Sequence, residues 1–331
     1  MTSEAPRGGG TSRLVAALLG VAAIGAIALP APAPAGAAHH RATCFGKRAT
    51  MVGNGRDNKI VGTRQADVIV GGGGNDRIIG NGGRDVICGG PGNDWIHGGN
   101  FPRQSLQHDK PTTLIGGPGN DYIDGSYKND FIVGDNANPN GDAIGHVGKD
   151  FLEGEFGNDH VVGDNWATGN AVGGVHDKIR GQKGDDFFVG DSEVTGDGRA
   201  IGGGGDHFEG SSDQDFEIGD SYSPNGTAIG GGDDAINLGP ANDFVVGDSY
   251  TKTGFAKGSG SDQIHSLQGN DIAYGDDYAA TPQGKTSGGA HDFIGGSAGD
   301  DALFGGPGHD TCNGGPDRDT ASNCEFVLEV P

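Results

Sequence analysis

Aspartates set beside glycines at a fixed interval are the residues of this chain best suited to chemistry. Asp67, Asp76, Asp85 and Asp94 are each nine residues apart. The same interval returns near the C-terminus, at Asp292, Asp301, Asp310 and Asp319. Calcium takes six to eight oxygen ligands, and carboxylates and backbone carbonyls both serve. One glycine-rich turn supplies about half of that shell. The spacing therefore predicts several Ca²⁺ ions, each shared between successive turns.

A nonapeptide carries these aspartates, with the pattern G-G-x-G-x-D-x-U-x, in which U is large and apolar. The first six residues predict a turn whose glycines can take positive φ, and the last three predict a short strand with U inward. So short a strand is stable only beside equivalent strands of neighbouring coils, which makes the sheets parallel. The expected inner ladder is Ile78, Ile87, Ile96, Ile123, Ile132 and Val161. The pattern predicts an all-β solenoid of parallel β-roll type.

In the middle of the chain, the sequence also repeats with a longer period of about 28 residues. Each copy contains a strand-like segment that ends in Gly-Asp and is followed by a polar loop. We expect each unit to form one coil with an inserted loop, and a three-segment coil is the alternative. These Gly-Asp segments are residues 129–136, 158–165, 185–192, 214–221, 242–249 and 270–277.

The candidate metal ligands are the aspartates that precede the strands. A single such Asp is commonly a turn former, but many in one register beside glycine favour metal binding. The predicted ligands are Asp76, Asp85, Asp94, Asp121, Asp130, Asp159, Asp186, Asp215, Asp243, Asp271, Asp301 and Asp310. A second series either binds metal or caps the inserted loops: Asp135, Asp164, Asp191, Asp220, Asp248 and Asp276.

Composition narrows the class of protein. Glycine supplies 69 of 331 residues and only 33% are hydrophobic, so a thick two-layer core is excluded. The glycines follow no three-residue period, which excludes collagen. A formal net charge of −23 excludes nucleic acid as a partner and suits hard cations.

The N-terminus predicts a secretory signal peptide over residues 1–37. Arg7 and Arg13 precede an apolar stretch at 14–29, and residues 35–37 fit an A-x-A cleavage site. The alternative is an uncleaved membrane anchor, for which this apolar stretch is short. We therefore expect an extracellular protein with no membrane span in its mature chain.

Four cysteines follow the predicted cleavage site, and an even number in an exported chain favours disulfides. Three connectivities are open. Bridges Cys44–Cys88 and Cys312–Cys324 would each close one end of the stack. The alternative, a zinc site, lacks the usual C-x-x-C spacing.

The chain divides into an N-terminal cap at 38–55, a calcium-binding roll at 56–322 and a C-terminal cap at 323–331. Within the roll, 116–291 carries the long units and 100–115 is a polar insertion.

We predict a binding protein without enzymatic activity. Residues 295–299 spell the nucleophile pattern G-x-S-x-G, but they lie inside a repeat turn with no strand–elbow–helix context. The alternative is an adhesion module whose stacked loops bind cell-surface or extracellular polysaccharide. A hydrolase ranks third.

The nonapeptides over most of residues 53–322 resemble the repeats-in-toxin (RTX) family, or haemolysin-type calcium-binding repeats. The resemblance implies a right-handed parallel β-roll with calcium held between turns. The long units depart from its regular pattern, and no toxin, protease or lipase domain accompanies the repeats. The chain is most similar to stand-alone secreted bacterial members, and we expect calcium binding to be coupled to folding.

Overall fold

The computed structural model describes residues 42–100, 108–210 and 212–330. Within these residues the chain is all-β and contains no helix, so no helix there is long and apolar enough to cross a membrane. The predicted signal peptide lies outside the described residues.

Short strands follow one another along the whole described chain. The N-terminal part contains β1 (Thr43–Cys44), β2 (Lys47–Arg48), β3 (Met51–Val52), β4 (Lys59–Val61), β5 (Val68–Val70), β6 (Arg77–Ile79), β7 (Val86–Cys88), β8 (Trp95–His97) and β9 (Thr113–Ile115). The first long coils contain β10 (Tyr122–Ser126), β11 (Phe131–Val133), β12 (Ala137–Asn138), β13 (Ala143–Ile144), β14 (Phe151–Phe156), β15 (His160–Val162), β16 (Trp166–Ala167), β17 (Ala171–Val172), β18 (Lys178–Lys183), β19 (Phe187–Val189), β20 (Glu193–Val194) and β21 (Arg199–Ile201). The next contain β22 (His207–Glu209), β23 (Phe216–Ile218), β24 (Tyr222–Ser223), β25 (Thr227–Ile229), β26 (Ala235–Asn237), β27 (Phe244–Val246), β28 (Tyr250–Thr251), β29 (Phe255–Lys257), β30 (Gln263–His265), β31 (Ile272–Tyr274), β32 (Tyr278–Ala279) and β33 (Lys285–Thr286). The C-terminal part contains β34 (Phe293–Gly295), β35 (Ala302–Phe304), β36 (Thr311–Asn313), β37 (Thr320–Ser322) and β38 (Phe326–Leu328).

Two parallel sheets of twelve strands each form the roll. Sheet I runs in the order β3, β5, β7, β9, β11, β15, β19, β23, β27, β31, β35 and β37. Sheet II runs from β4 through β6, β8, β10, β14, β18, β22, β26, β30, β34 and β36 to β38. The chain alternates between the two sheets, so each strand pairs with its equivalent one coil away. This confirms the predicted parallel solenoid.

The middle residue of most strands points into the space between sheets I and II. Ile78 and Ile96 are register partners on sheet II, while Ile87 and Leu114 are partners on sheet I. All six residues of the predicted inner ladder are fully buried, which confirms their place in the core. The ladder is divided between the two sheets because successive nonapeptides alternate between them. One position departs from the apolar pattern, since Glu217 occupies it with no exposed surface.

The inserted loops of the long coils are themselves β-structure. Sheet III contains β12, β16, β20, β24, β28 and β32, and sheet IV contains β13, β17, β21, β25, β29 and β33. We call these two sheets and their connections the side lobe. A long coil therefore has four strands. Both earlier expectations, a coil whose inserted loop has no strands and a coil of three segments, were wrong. Copies of the loop stacked in register can satisfy their backbone hydrogen bonds from one coil to the next, so they adopt strands.

Disulfides join Cys44 to Cys88 and Cys312 to Cys324, the pairing that would close each end of the stack. The first attaches the β1–β2 hairpin to sheet I, and Cys312 is itself buried in the core. At the C-terminus, β38 is the last strand of sheet II, with its apolar side chains exposed.

Candidate metal sites

Two rows of acidic residues run along the roll, each residue directly before a strand. Row I precedes sheet I and contains Asp67, Asp85, Asp130, Asp159, Asp186, Asp215, Asp243, Asp271, Asp301 and Asp319, with Thr112 at the same position before β9. Row II precedes sheet II and contains Asp76, Asp94, Asp121, Asp150, Asp177, Asp206, Asp234, Asp262, Asp292 and Asp310, with Asn58 and Glu325 at its ends. The predicted ligands are divided between these two rows.

In both rows, one carboxylate oxygen of nearly every aspartate accepts a backbone N–H of the preceding coil; the exception is Asp67, which accepts the Thr50 hydroxyl. In row II, the N–H of Asp76 donates to Oδ1 of Asp94 at 2.7 Å, and the N–H of Asp94 donates to Asp121. The pattern continues without a break to Glu325, which accepts from the N–H of Asp310 at 2.8 Å. In row I, the N–H of Asp159 likewise donates to Oδ1 of Asp186 at 2.7 Å. Because hydrogen bonds from backbone amides to carboxylates are strong, they fix the orientation of these side chains.

The second oxygen, Oδ2, is buried without a hydrogen-bond partner in most aspartates of rows I and II. A buried unpaired carboxylate oxygen is costly, so each one needs a compensating cation or proton. The aspartates concerned are Asp76, Asp85, Asp94, Asp121, Asp150, Asp159, Asp177, Asp186, Asp206, Asp234, Asp243, Asp262, Asp271, Asp292, Asp301, Asp310 and Asp319.

Asp130, one of the predicted ligands, differs from these aspartates. Its Oδ1 accepts from Thr112, through both the N–H and the hydroxyl, and its Oδ2 accepts the N–H of Ser126. Both of its oxygens therefore have protein donors. Asp130 is a weaker candidate for a metal ligand than the aspartates whose Oδ2 has no hydrogen-bond partner.

Glycine at the start of each turn leaves a space that two oxygens face. A Cβ added to Gly89 would lie 2.1 Å from Oδ2 of Asp94 and 2.7 Å from the carbonyl oxygen of Gly116 in the next coil. At Gly190 the corresponding distances would be 2.3 Å to Oδ2 of Asp206 and 1.8 Å to the carbonyl oxygen of Gly219. A side chain would fill this space, whereas glycine keeps a carboxylate and a carbonyl facing it. That donor set fits Ca²⁺.

Burial raises the pKa values of many of the row I and row II carboxyl groups, as four of them illustrate. Desolvation raises the pKa of Asp94 to about 6 and that of Asp85 to about 7. The pKa of Asp121 rises to about 9, first through desolvation and then through repulsion from Asp150. In the middle of row II, burial and neighbouring carboxylates raise the pKa of Asp206 well above its usual range. Without cations, groups such as Asp121 and Asp206 keep at neutral pH the proton that an ordinary aspartate loses.

The second aspartate series forms row III: Asp135, Asp164, Asp191, Asp220, Asp248 and Asp276. Each lies between a sheet I strand and the side lobe, and one of its oxygens accepts an N–H from the segment that leaves the lobe. The N–H of Gly148 donates to Asp135 at 2.9 Å, that of Gly204 to Asp191 at 2.9 Å, and that of Gly260 to Asp248 at 2.9 Å. These bonds fit the capping role, one of the two that the sequence left open. The other oxygen of Asp135, Asp164, Asp191, Asp248 and Asp276 is buried without a hydrogen-bond partner, as in rows I and II, so metal binding by row III stays a prediction.

Sequence reasoning left six members of row II out of the predicted ligands: Asp150, Asp177, Asp206, Asp234, Asp262 and Asp292. The lobe interrupts their turns, so the nonapeptide pattern around them is broken. The signal that could have found them is their spacing of 27 to 30 residues, which continues from Asp121 to Asp292. Ser297 of the G-x-S-x-G pattern lies in the turn between β34 and β35, within the stretch that leads to Asp301.

Comparison with known families agrees with this geometry. The RTX calcium-binding nonapeptide repeat matches more than half of the chain, in seven stretches: residues 52–87, 80–100, 113–138, 143–165, 173–193, 258–277 and 286–321. The chain belongs to the family of RTX calcium-binding nonapeptide repeats. No curated protein matches it. Among the long coils of this RTX chain, the coils between 194 and 257 fall outside the matched stretches, although rows I and II continue through them.

Proposed function

We propose that this RTX protein binds multiple Ca²⁺ ions between the turns of adjacent coils. The observation that carries the proposal is the unpaired, buried Oδ2 of the seventeen row I and row II aspartates named above. At Asp94 and Asp206, for example, this oxygen faces the same space as a glycine carbonyl of the next coil. The proposed ligands are the twelve predicted aspartates together with the six members of row II that sequence reasoning missed, Asp292 among them. Asp130 is the weakest of them because Thr112 and Ser126 already occupy its oxygens.

We further propose that calcium binding and folding are coupled. Each site takes one oxygen from one coil and another from the next, so the donor set forms only when the coils stack. Binding free energy then becomes folding free energy. The rows also place many buried carboxylates beside one another, and cations remove their mutual repulsion.

We propose a secreted protein whose residues 1–37 are removed as a signal peptide. Two disulfides suit an oxidising extracellular compartment, where calcium is abundant enough for weak sites. The roll of residues 56–322 would then be closed by the segments 38–55 and 323–331. Its role is binding and structural rather than catalytic, as is typical of roll repeats of this family.

Circular dichroism of the disulfide-intact chain tests this proposal. After removal of divalent ions with a chelator, the chain is titrated with calcium, and with magnesium as the matched control. A cooperative gain of β signal with calcium alone is expected, because magnesium demands a tighter octahedral shell. A chain already folded in chelator and indifferent to calcium would contradict the proposal.

The polysaccharide-binding alternative would use exposed aromatic faces, and the tyrosines of sheet III do not offer them. Tyr222 and Tyr250 stack with ring centroids 5.2 Å apart and planes inclined by 14°. Tyr250 and Tyr278 stack at 5.7 Å and 6°. The rings cover one another along the axis, so this row stabilises the side lobe.

A further inference from the structure

The last long coil meets the regular C-terminal repeats at a junction where rows II and III converge. One carboxylate oxygen of each of Asp276, Asp292 and Asp310 lies within 4.8 Å of the others. Asp276 belongs to row III, whereas Asp292 and Asp310 are successive members of row II. All three side chains are at least 97% buried, with relative exposures of 3%, 3% and 0%.

Each of the three carboxylates has one oxygen held by a backbone amide and one without a partner. Oδ1 of Asp276 accepts from Ala290 at 3.2 Å, and Oδ1 of Asp292 accepts from Asp262 at 2.9 Å. Oδ1 of Asp310 accepts from the N–H of Asp292 at 3.0 Å. Oδ2 of all three is buried with no hydrogen-bond partner. The amides orient the cluster, and three acceptor oxygens are left over.

The junction differs from the rest of row III because no further row III aspartate follows Asp276. The equivalent residue of the next coil is Gly306, and a Cβ there would lie 2.2 Å from Oδ2 of Asp276. Glycine therefore keeps the space beside this oxygen open. A Cβ on Gly275 would likewise lie 2.4 Å from Oδ2 of Asp292 and 2.8 Å from the carbonyl oxygen of Gly305, which adds a fourth oxygen to the surroundings.

Positive side chains do not neutralise this cluster. Within residues 42–100, 108–210 and 212–330, no Lys or Arg forms an ion pair with any of the three aspartates. The titratable groups that interact with the cluster are the carboxyl groups of Asp248, Asp262, Asp277 and Glu325 and the exposed imidazoles of His291 and His309. A pocket of about 400 Å³, lined by Tyr274, Asp276, Tyr278 and Gly306 among others, gives access from solvent.

We propose that Asp276, Asp292 and Asp310 form a three-carboxylate Ca²⁺ site that binds more tightly than the ordinary turns. The inference deepens the proposed function and rests on it. The space beside Gly89 or Gly190 is faced by one aspartate Oδ2 and one carbonyl oxygen, whereas three carboxylates converge at the junction. Affinity for calcium rises with the number of charged ligands, so the dissociation constant should be about tenfold lower than that of an ordinary turn.

Counting retained ions tests the site. The calcium-loaded full chain is dialysed against a weak chelator until the ordinary turns have released their ions, and the remaining calcium is measured. The wild type should retain about one ion per chain at this site, and D276N should retain none, because Asn keeps an oxygen for the Ala290 amide but carries no charge. The matched control is D317N, which removes an exposed carboxylate at the same end of the roll and should retain the ion.

Equal retention by the wild type and D276N overturns the inference while leaving the proposed function intact. A chain that binds no calcium before dialysis overturns both. If D276N does not fold in calcium, terbium at a limiting concentration in crystals of the wild-type chain decides the question. An anomalous peak among the three aspartates before peaks in the other turns supports the site, and peaks in the other turns alone contradict it.

Discussion

Glu217 of sheet I pairs in register with Val245 of the next coil, and both side chains point into the apolar core. Neither carboxylate oxygen of Glu217 has a hydrogen-bond partner, and burial raises its pKa well above the usual range. An acidic residue thus stands where the repeat calls for a large apolar one.

Glu217→Val should stabilise the protein. Val matches the neighbour at this position, and removal of a buried unpaired polar group gains about 1–3 kcal/mol. Denaturant unfolding in calcium measures the change in the free energy of unfolding. Glu217→Gln is the control, since it keeps a polar group in the core and should gain less. A loss of stability in Glu217→Val would mean instead that the carboxylate serves the neighbouring row I turns.

The calcium-free chain should lose stability as the pH rises. Desolvation raises the pKa of Asp94 to about 6 and that of Asp186 to about 8, and burial with repulsion raises that of Asp121 to about 9. The folded state then keeps protons that the unfolded state releases, so stability is greatest below about pH 4 and falls between about pH 4 and pH 9. Denaturant midpoints in chelator at several pH values measure this fall. In saturating calcium the trend should be weaker or reversed, because the ion requires the ionised carboxylates; the same fall with and without calcium would contradict the metal sites.

Asp206→Asn should lower the free energy of unfolding in calcium but not in chelator. Oδ1 of Asp206 accepts the Asp177 amide at 2.6 Å, and an Asn oxygen can do the same. In chelator, loss of a buried repelling carboxylate should leave stability unchanged or higher. In calcium, loss of one site filled at a hundred times its dissociation constant costs about 2.7 kcal/mol.

Asp197→Asn removes an exposed carboxylate from a neighbouring turn of the side lobe and should be neutral under both conditions. Chemical unfolding of both variants with calcium and with chelator provides the comparison. If Asp206→Asn did not change the free energy of unfolding in calcium, Asp206 would only form its turn and would not bind metal.

Gly190→Ala should be strongly destabilising. Its Cβ would lie 1.8 Å from the carbonyl oxygen of Gly219 and 2.3 Å from Oδ2 of Asp206, so the two coils must separate. Overpacking against backbone costs about 3 kcal/mol or more. Gly196→Ala is the matched control, because a Cβ there would meet nothing within 4 Å. Thermal unfolding of both variants in calcium checks the difference, and similar midpoints would argue against close contact between these coils.

The sequence by itself determined the local units of this protein. The nonapeptide predicted the parallel roll, and its apolar position predicted buried residues such as Ile78 and Ile132. These features depend on nearest neighbours along a repeating chain, where strand alternation and glycine turns leave little freedom. The regular aspartates, such as Asp94, were found by the same logic.

Only the tertiary structure shows which strands and which aspartate row the interrupted repeats form. The side lobe appeared as loops in the sequence because its strands are two or three residues long and are defined only by pairing with the next coil. The side lobe interrupts the nonapeptide pattern around Asp206, yet the stacking of the coils places this residue in row II.

The meeting of Asp276, Asp292 and Asp310 likewise follows only from the stacking of the coils. Residues 276 and 310 belong to different rows and different coils, and stacking brings their carboxylates within 4.8 Å. Composition and spacing predict that acidic oxygens are present, but the register between coils determines which of them face the same space.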